Sequence, residues 1–284
     1  MSTADIRAVI RGDAGRFVYV VSALAALNGL LFGFDTGIIS GAILFIDTAF
    51  ELSALVEGIV VSGAMVGAAA GAAIGGRISD RIGRKRFILL SAGVFFAGSF
   101  LMAVAPTVPV LVAGRMIDGV AIGFASIVGP LYISEIAPPS VRGGLTSLNQ
   151  LMVTVGILSS YFVNYAFSGA GAWRLMLGAG MVPAVVLAVG MVRMPESPRW
   201  LYERGRTEEA RAVLRRTRDG DIEDELAEIE ATVEAQSGNG IRDLLSPWMR
   251  PALIVGLGLA VFQQITENQR ESLALQRGDE SDKR

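Results

Sequence analysis

The 284-residue chain contains no cysteine and no histidine. Without cysteine there is no disulfide framework and no thiolate metal site, and the redox compartment cannot be read. Without histidine the commonest general base, metal ligand and pH sensor is missing. Charge is also scarce. Asp, Glu, Lys and Arg make up 18% of the chain against 52% hydrophobic residues, and the formal net charge is −2. That balance argues against a soluble domain, and the positive mean hydropathy suits a membrane protein; the near-zero net charge says nothing about nucleic acid, and no nucleic-acid partner is expected. The amino terminus lacks a short apolar core with a small-residue cleavage site. Its first apolar run is about 30 residues long, so a retained span is expected rather than a signal peptide.

What is present is apolar length. A bilayer core needs about 20 apolar residues per helix. Six segments reach that length, near 17–46, 54–76, 87–105, 108–134, 144–168 and 173–192. A soluble all-α core is the alternative, and six consecutive spans of this length argue against it. Lys and Arg set the orientation. Arg7, Arg11 and Arg16 precede the first span, Arg77, Arg81, Arg84, Lys85 and Arg86 lie between the second and third, and Arg142 lies between the fourth and fifth. The alternate loops near 47–53, 106–107 and 169–172 carry no Lys or Arg. A cytoplasmic amino terminus is therefore expected. After the sixth span the composition turns charged. Over 196–248, Ala210, Val213 and Leu214, and then Leu226, Ile229 and Val233, give narrow apolar stripes that predict short amphipathic helices at the cytoplasmic surface. A seventh apolar run, "PALIVGLGLAVFQQIT", begins at Pro251 and stops after about 15 residues, or about 22 Å of helix. A polar tail follows.

The spans have legible faces. Gly29, Gly33, Gly37 and Gly41 recur every fourth residue in the first, and Gly63, Gly67, Gly71 and Gly75 in the second. Such ridges let helix backbones approach closely in lipid. Asp35 sits in the middle of the apolar stretch "LLFGFDTGIISGA". At about 100° per residue it points about 160° away from Gly33 and Gly37, and Asn28 lies within about 20° of it. The first helix therefore has a packing ridge and an opposite polar stripe, which is expected to face the bundle interior or a wet cavity. Arg115 of the fourth span lies at a depth only about 6 Å different. An Asp35–Arg115 pair is the economical solution, complicated by Asp118, which can reach the same guanidinium from three residues on. In the fifth span Gln150, Thr154, Tyr161 and Asn164 fall within about 80° of one another. Their donors and acceptors suit a neutral polyhydroxylated ligand, while any one of them, Asn164 above all, could instead bond a neighbouring helix. Gln263 and Gln264 end the seventh run about 18 Å from its start, at midplane depth.

These residues fall into a known pattern. "GFDTG" at 33–37, "GGRISDRIGRKR" at 75–86, "GR" at 114–115, "SEIAPPSVRG" at 134–143, "NQ" at 149–150, "PESPRWL" at 195–201 and "FQQIT" at 262–266 occur in order. The chain resembles the sugar porter (sugar:proton symporter) branch of the major facilitator superfamily over about residues 15–266. The resemblance implies an all-α membrane protein. A six-span bundle would occupy 1–195, intracellular helices 196–248, and the start of a second bundle with a partial seventh span 249–266, leaving 267–284 as a tail unlike the family. It implies a carrier, not an enzyme, that moves a monosaccharide or polyol with a proton by alternating access in the plasma membrane, with no cofactor and no metal. Asp35 and Arg115 fall on the family's proton-coupling pair. Gln150, Gln263 and Gln264 fall on positions that bond sugar hydroxyls. Arg84, Glu135, Arg142, Glu196 and Arg199 fall on the cytoplasmic charge network that latches the two halves. An Asp held between burial, which opposes ionisation, and a guanidinium, which favours it, could load a proton from one side and release it to the other.

The chain also departs from the family. Glu267, Asn268 and Gln269 follow "QQIT", so the family asparagine does not carry over. Spans eight to twelve are missing, and Asp118 stands where the family tends to have a small residue. A truncated sugar porter that does not transport alone is expected. A half-transporter that assembles with another chain, or a sugar-binding membrane sensor or scaffold, is the alternative. An enzyme has no nucleophile or metal-ligand constellation to support it.

Overall fold

The fold was analysed in a computed structural model. It describes residues 15–218 and 222–236, with residues 251, 254, 255 and 258 as single helical positions. Most of the expected seventh run, including Gln263 and Gln264, the tail, Arg7 and Arg11 lie outside the described residues. The described chain up to Ile229 belongs to one compact unit, and a second begins at Glu230.

Every regular element among the described residues is a helix. The long ones are α1 (Arg16–Phe50), α2 (Ala54–Ile82), α3 (Arg84–Ala103), α4 (Val108–Ile136) and α5 (Arg142–Ser168). A sixth apolar stretch, Trp173–Val192, comprises α6 (Trp173–Gly178) and α7 (Met181–Val192). Pro183 explains the interruption between them: it has no amide to bond the carbonyl of Ala179, so the chain passes the break through tight turns at Ala179 and Gly180. Six helical stretches are thus long and apolar enough to cross a bilayer.

The helices outrun the apolar segments seen in the sequence, α1 to Phe50 and α2 through the basic run to Ile82. A helix bonds its own backbone, so a charged end need not stop it. What stops α2 is Gly83, at φ 98°, which bonds back to the carbonyl of Ser79 and opens α3. A side chain there would be strained by that φ and would run into the Glu196 carboxylate.

The glycine ridges determine the packing. A Cβ on Gly29, Gly33 or Gly37 would overlap Asn149, Val153 or Ser160, all on α5. Gly156 of α5 answers by lying against Leu30 and Phe34 of α1. Gly67 and Gly71 of α2 seat in the same way against Met116 and Val120 of α4, with Gly119 and Gly123 closing the contact from the other side. The bundle is therefore built from two tight pairs, α1 with α5 and α2 with α4, with α3 packed on α4 and α6–α7 on α3. One apolar cluster joins Val21, Phe87, Phe95, Val128 and Tyr132 toward the basic end of the spans. A second, around Phe34, Ile38, Met102 and Trp173, fills the opposite end.

Beyond the spans, α8 (Pro198–Glu203), α9 (Thr207–Thr217) and α10 (Glu223–Gln236) follow. Ala210, Val213 and Leu214 of α9 are buried, and Leu214 packs with Ile222 and Leu226. These are the apolar stripes that the sequence shows in its charged segment.

Candidate functional site

The ridge of α1 faces α5, so its opposite side faces inward. There the structure brings Asp35 and Arg115 together: the Arg115 Nη1 donates to the Asp35 Oδ1. Asp35 is 3% exposed and Arg115 2%. The surroundings are protein on all sides, where the sequence left open a wet cavity. Asn28, on the same stripe, is fully buried; its amide donates to the Ala25 carbonyl at 2.8 Å and its Oδ1 accepts from Ser91 of α3 at 3.4 Å. Asp118 is equally buried but turns the other way. Its Oδ2 accepts from the Ser99 hydroxyl of α3 at 3.1 Å, and it makes no ion pair with Arg115. Gly98 permits this seat, because a Cβ at that position would overlap the Asp118 carboxylate.

The polar residues of α5 divide between two faces. Gln150, Thr154 and Tyr161 are exposed on the side that no other described residue covers. Only 17% of the apolar window of α5 is buried, the least of the six spans, so this is the open flank of the bundle. Asn164 is buried against α1, donating to the Gly37 carbonyl at 3.2 Å. It belongs to the packing seam, the alternative the sequence favoured for that residue alone.

At the basic end of the bundle Arg84 is 4% exposed and forks onto Glu135, with Nε and Nη2 donating at 3.0 and 3.1 Å, while its Nη1 lies 3.1 Å from Asp80. Glu196 bonds backbone amides. Its Oε1 accepts from the backbone amides of Lys85 and Ser197, both at 2.9 Å, so it caps the start of α3. Lys85 returns the contact by donating to the Val192 carbonyl at the end of α7. Arg142 donates to the Ala137 carbonyl, and Arg199 to Glu203 on its own helix. Arg84, Glu135 and Glu196 therefore serve two seams, α3 with α4 and α3 with the segment after α7, while Arg142 holds the turn after α4 and Arg199 bonds Glu203 within α8.

Comparison with known proteins follows the same pattern. The family described as sugar (and other) transporters matches residues 21–269. The chain belongs to the sugar porter family of the major facilitator superfamily. Sugar porters are carriers rather than enzymes. The chain is similar to a glucose transporter of Staphylococcus epidermidis, 46% identical over 87% of this chain and 55% of that protein. It is similar to a galactose-proton symporter of Escherichia coli, 43% identical over 87% of this chain and 54% of that one. Among solved structures, a proton:xylose symporter bound to 6-bromo-6-deoxy-D-glucose superposes with a TM-score of 0.75 at 32% identity, covering 81% of this chain and 56% of that one. The chain thus spans about half the length of the curated relatives it matches.

Several contacts of this sugar porter bundle escaped the sequence reading. The Trp200 indole and the Arg204 guanidinium both donate to the Asp80 carbonyl at 2.8 Å, and Arg204 also reaches the Arg81 carbonyl, so the exposed carbonyls at the end of α2 are capped from α8 and its C-cap. The Tyr132 hydroxyl donates to the Pro195 carbonyl at 2.6 Å. Arg218 binds Glu225 with two nitrogens and the Ile136 carbonyl, at the end of α4, with a third. The only local signal was an Arg four residues after a Trp in a charged segment. Nothing in that spacing says which helix end they cap.

Proposed function

We propose that this chain forms the N-terminal six-span half, and the start of the second half, of a proton-coupled carrier for a monosaccharide or polyol. The observation that carries the reading is the buried Asp35–Arg115 pair, which joins two membrane spans. A carboxylate inside a membrane is costly and marks an ion or proton path when it is kept. Protonation of Asp35 removes the charge that holds Arg115, so proton uptake is linked to the contact between α1 and α4. The glucose, galactose and xylose transported by the relatives above support a sugar as the cargo, and the two proton-linked names among them support symport.

In this reading residues 1–195 are the bundle, 196–248 its intracellular helices, and 249–266 the first part of the other half, with 267–284 a tail outside the family pattern. The protein sits in the plasma membrane with its amino terminus and basic loops cytoplasmic. Gln150, with Gln263 and Gln264, hydrogen-bonds the sugar hydroxyls. Arg84, Glu135, Arg142, Glu196 and Arg199 form the cytoplasmic gate. The open flank of α5 is one wall of the pathway, and the opposite wall comes from a second half, supplied by the rest of a longer polypeptide or by another chain.

The decisive experiment grafts this half onto the second half of a full-length proton-coupled relative and follows sugar uptake in vesicles. Asp35→Asn is expected to abolish uphill accumulation and to leave sugar binding intact. Uphill uptake that survives the change overturns the assignment. Gln150→Ala in the same carrier removes one set of hydroxyl contacts without disturbing a packed seam, and sugar affinity is expected to fall by roughly tenfold, the equivalent of about 1 to 1.5 kcal/mol for one hydrogen bond. Unchanged affinity moves the sugar site away from α5.

A further inference from the structure

Arg115 has two buried carboxylates near it and binds one. Asp118 lies three residues further along α4, at the spacing that places side chains one above the other on a helix. It is 1% exposed, and its Oδ1 has no hydrogen-bond partner. The Arg115 Nε is likewise buried and without a partner. Two unmade bonds of opposite kind, one helical turn apart, are costly where no water can satisfy them. Among the described residues the groups that bond them are Asp35 from α1 and Ser99 from α3, and Gly63 of α2 lies against the Arg115 side chain.

We propose that Asp118 is the second seat of the Arg115 guanidinium. The inference rests on the reading of Asp35 as the proton site. In the structure described, Arg115 ties α4 to α1. When Asp35 binds a proton, its carboxylate becomes a neutral carboxyl and its ion pair with Arg115 is lost. The guanidinium then turns to the free Oδ1 of Asp118, while Ser99 keeps the Oδ2. No bond other than the new O–H of Asp35 is made covalently. An arginine released into an apolar bundle with no anion would be stranded, which is the costly outcome of breaking a buried pair. With Asp118 present, a tie between two helices becomes a tie within one. The proton thus unfastens α1 from α4 without leaving an unpaired cation, and loss of the proton draws Arg115 back.

Infrared difference spectroscopy tests this on the whole 284-residue chain, with isotope-labelled arginine, in phosphatidylcholine vesicles stepped from neutral to acid pH. The expected result is a carboxylic-acid band that is lost in Asp35→Asn and is accompanied by a shift of the arginine bands. In Asp118→Asn, close to isosteric, the carboxylic-acid band remains and the arginine bands move instead to the position of a guanidinium with no carboxylate partner. Ser99→Ala supplies an independent arm: freeing Asp118 is expected to move the arginine bands at neutral pH part of the way toward their acid position. An arginine shift that is the same in Asp118→Asn as in the unaltered chain overturns the hand-off. So does a Ser99→Ala spectrum identical to that of the unaltered chain, should Asp118→Asn fail to fold. A missing Asp35 band in the unaltered chain overturns the proton-site reading with it. An Asp35 band with Asp118-independent arginine signals overturns the hand-off alone.

Discussion

Arg115→Ala is expected to destabilise the bundle by about 3–5 kcal/mol, the typical cost of leaving one member of a buried ion pair without its partner. Asp35 is 3% exposed, and among the described residues the cation it contacts is Arg115. Water cannot reach the stranded carboxylate, and Asn28 on the same stripe is already committed to Ala25 and Ser91. The double change Asp35→Asn with Arg115→Gln is expected to be less damaging than Arg115→Ala, because no charge is left behind. Unfolding of the chain in detergent, followed through its tryptophans, measures all three. If the single and double changes cost the same, the pair is not what holds α1 to α4.

The other large effect belongs to the glycine ridges. Gly33→Val and Gly67→Val are each expected to cost at least the roughly 1–3 kcal/mol of an overpacked core, and to lower the yield of monodisperse protein. At Gly33 the added carbon meets the carbonyl oxygen of Val153, and at Gly67 that of Met116. Both are backbone atoms of another helix, so no rotamer change relieves the clash and the helices must separate. Gly93 is the control. A Cβ there meets nothing within contact distance, and Gly93→Ala is expected to be neutral or to stabilise by up to about 1 kcal/mol through helix propensity. Size-exclusion profiles and thermal unfolding of the three variants check the contrast. Equal behaviour at Gly33 and Gly93 would mean that the ridge is not a packing seam.

The two kinds of residue differ in how far the sequence could be read. Glycines four apart mark a helix face whatever the partner, because periodicity is local. Asp35 falls opposite that face for the same reason. The role of Asn164 was ambiguous because its angle places it between the polar flank and the seam, and only its bond to Gly37 decides. Asp35 was the economical partner for Arg115, but Asp118, three residues on, stood within reach of the same guanidinium. Gly98 decided between them by leaving room for Asp118 to turn toward Ser99. At the basic end, the motif residues Arg84 and Glu196 were visible. That one holds a side chain and the other a helix start was not, since both contacts close over long sequence separations.

By itself, then, the sequence determined the membrane class, the six spans, the two close-packing faces and the polar stripe carrying Asp35. All of these follow from composition and from the angle between neighbouring residues on one helix. Only the tertiary structure decided which helices the glycine ridges meet and which acid Arg115 holds. It also decided how Trp200 and Arg204 cap α2, and that Gln150 faces the open flank while Asn149 faces the seam. Those outcomes depend on which of several chemically equivalent partners lies within a few ångströms, and that distance is set by the packing of whole helices rather than by any spacing along one of them.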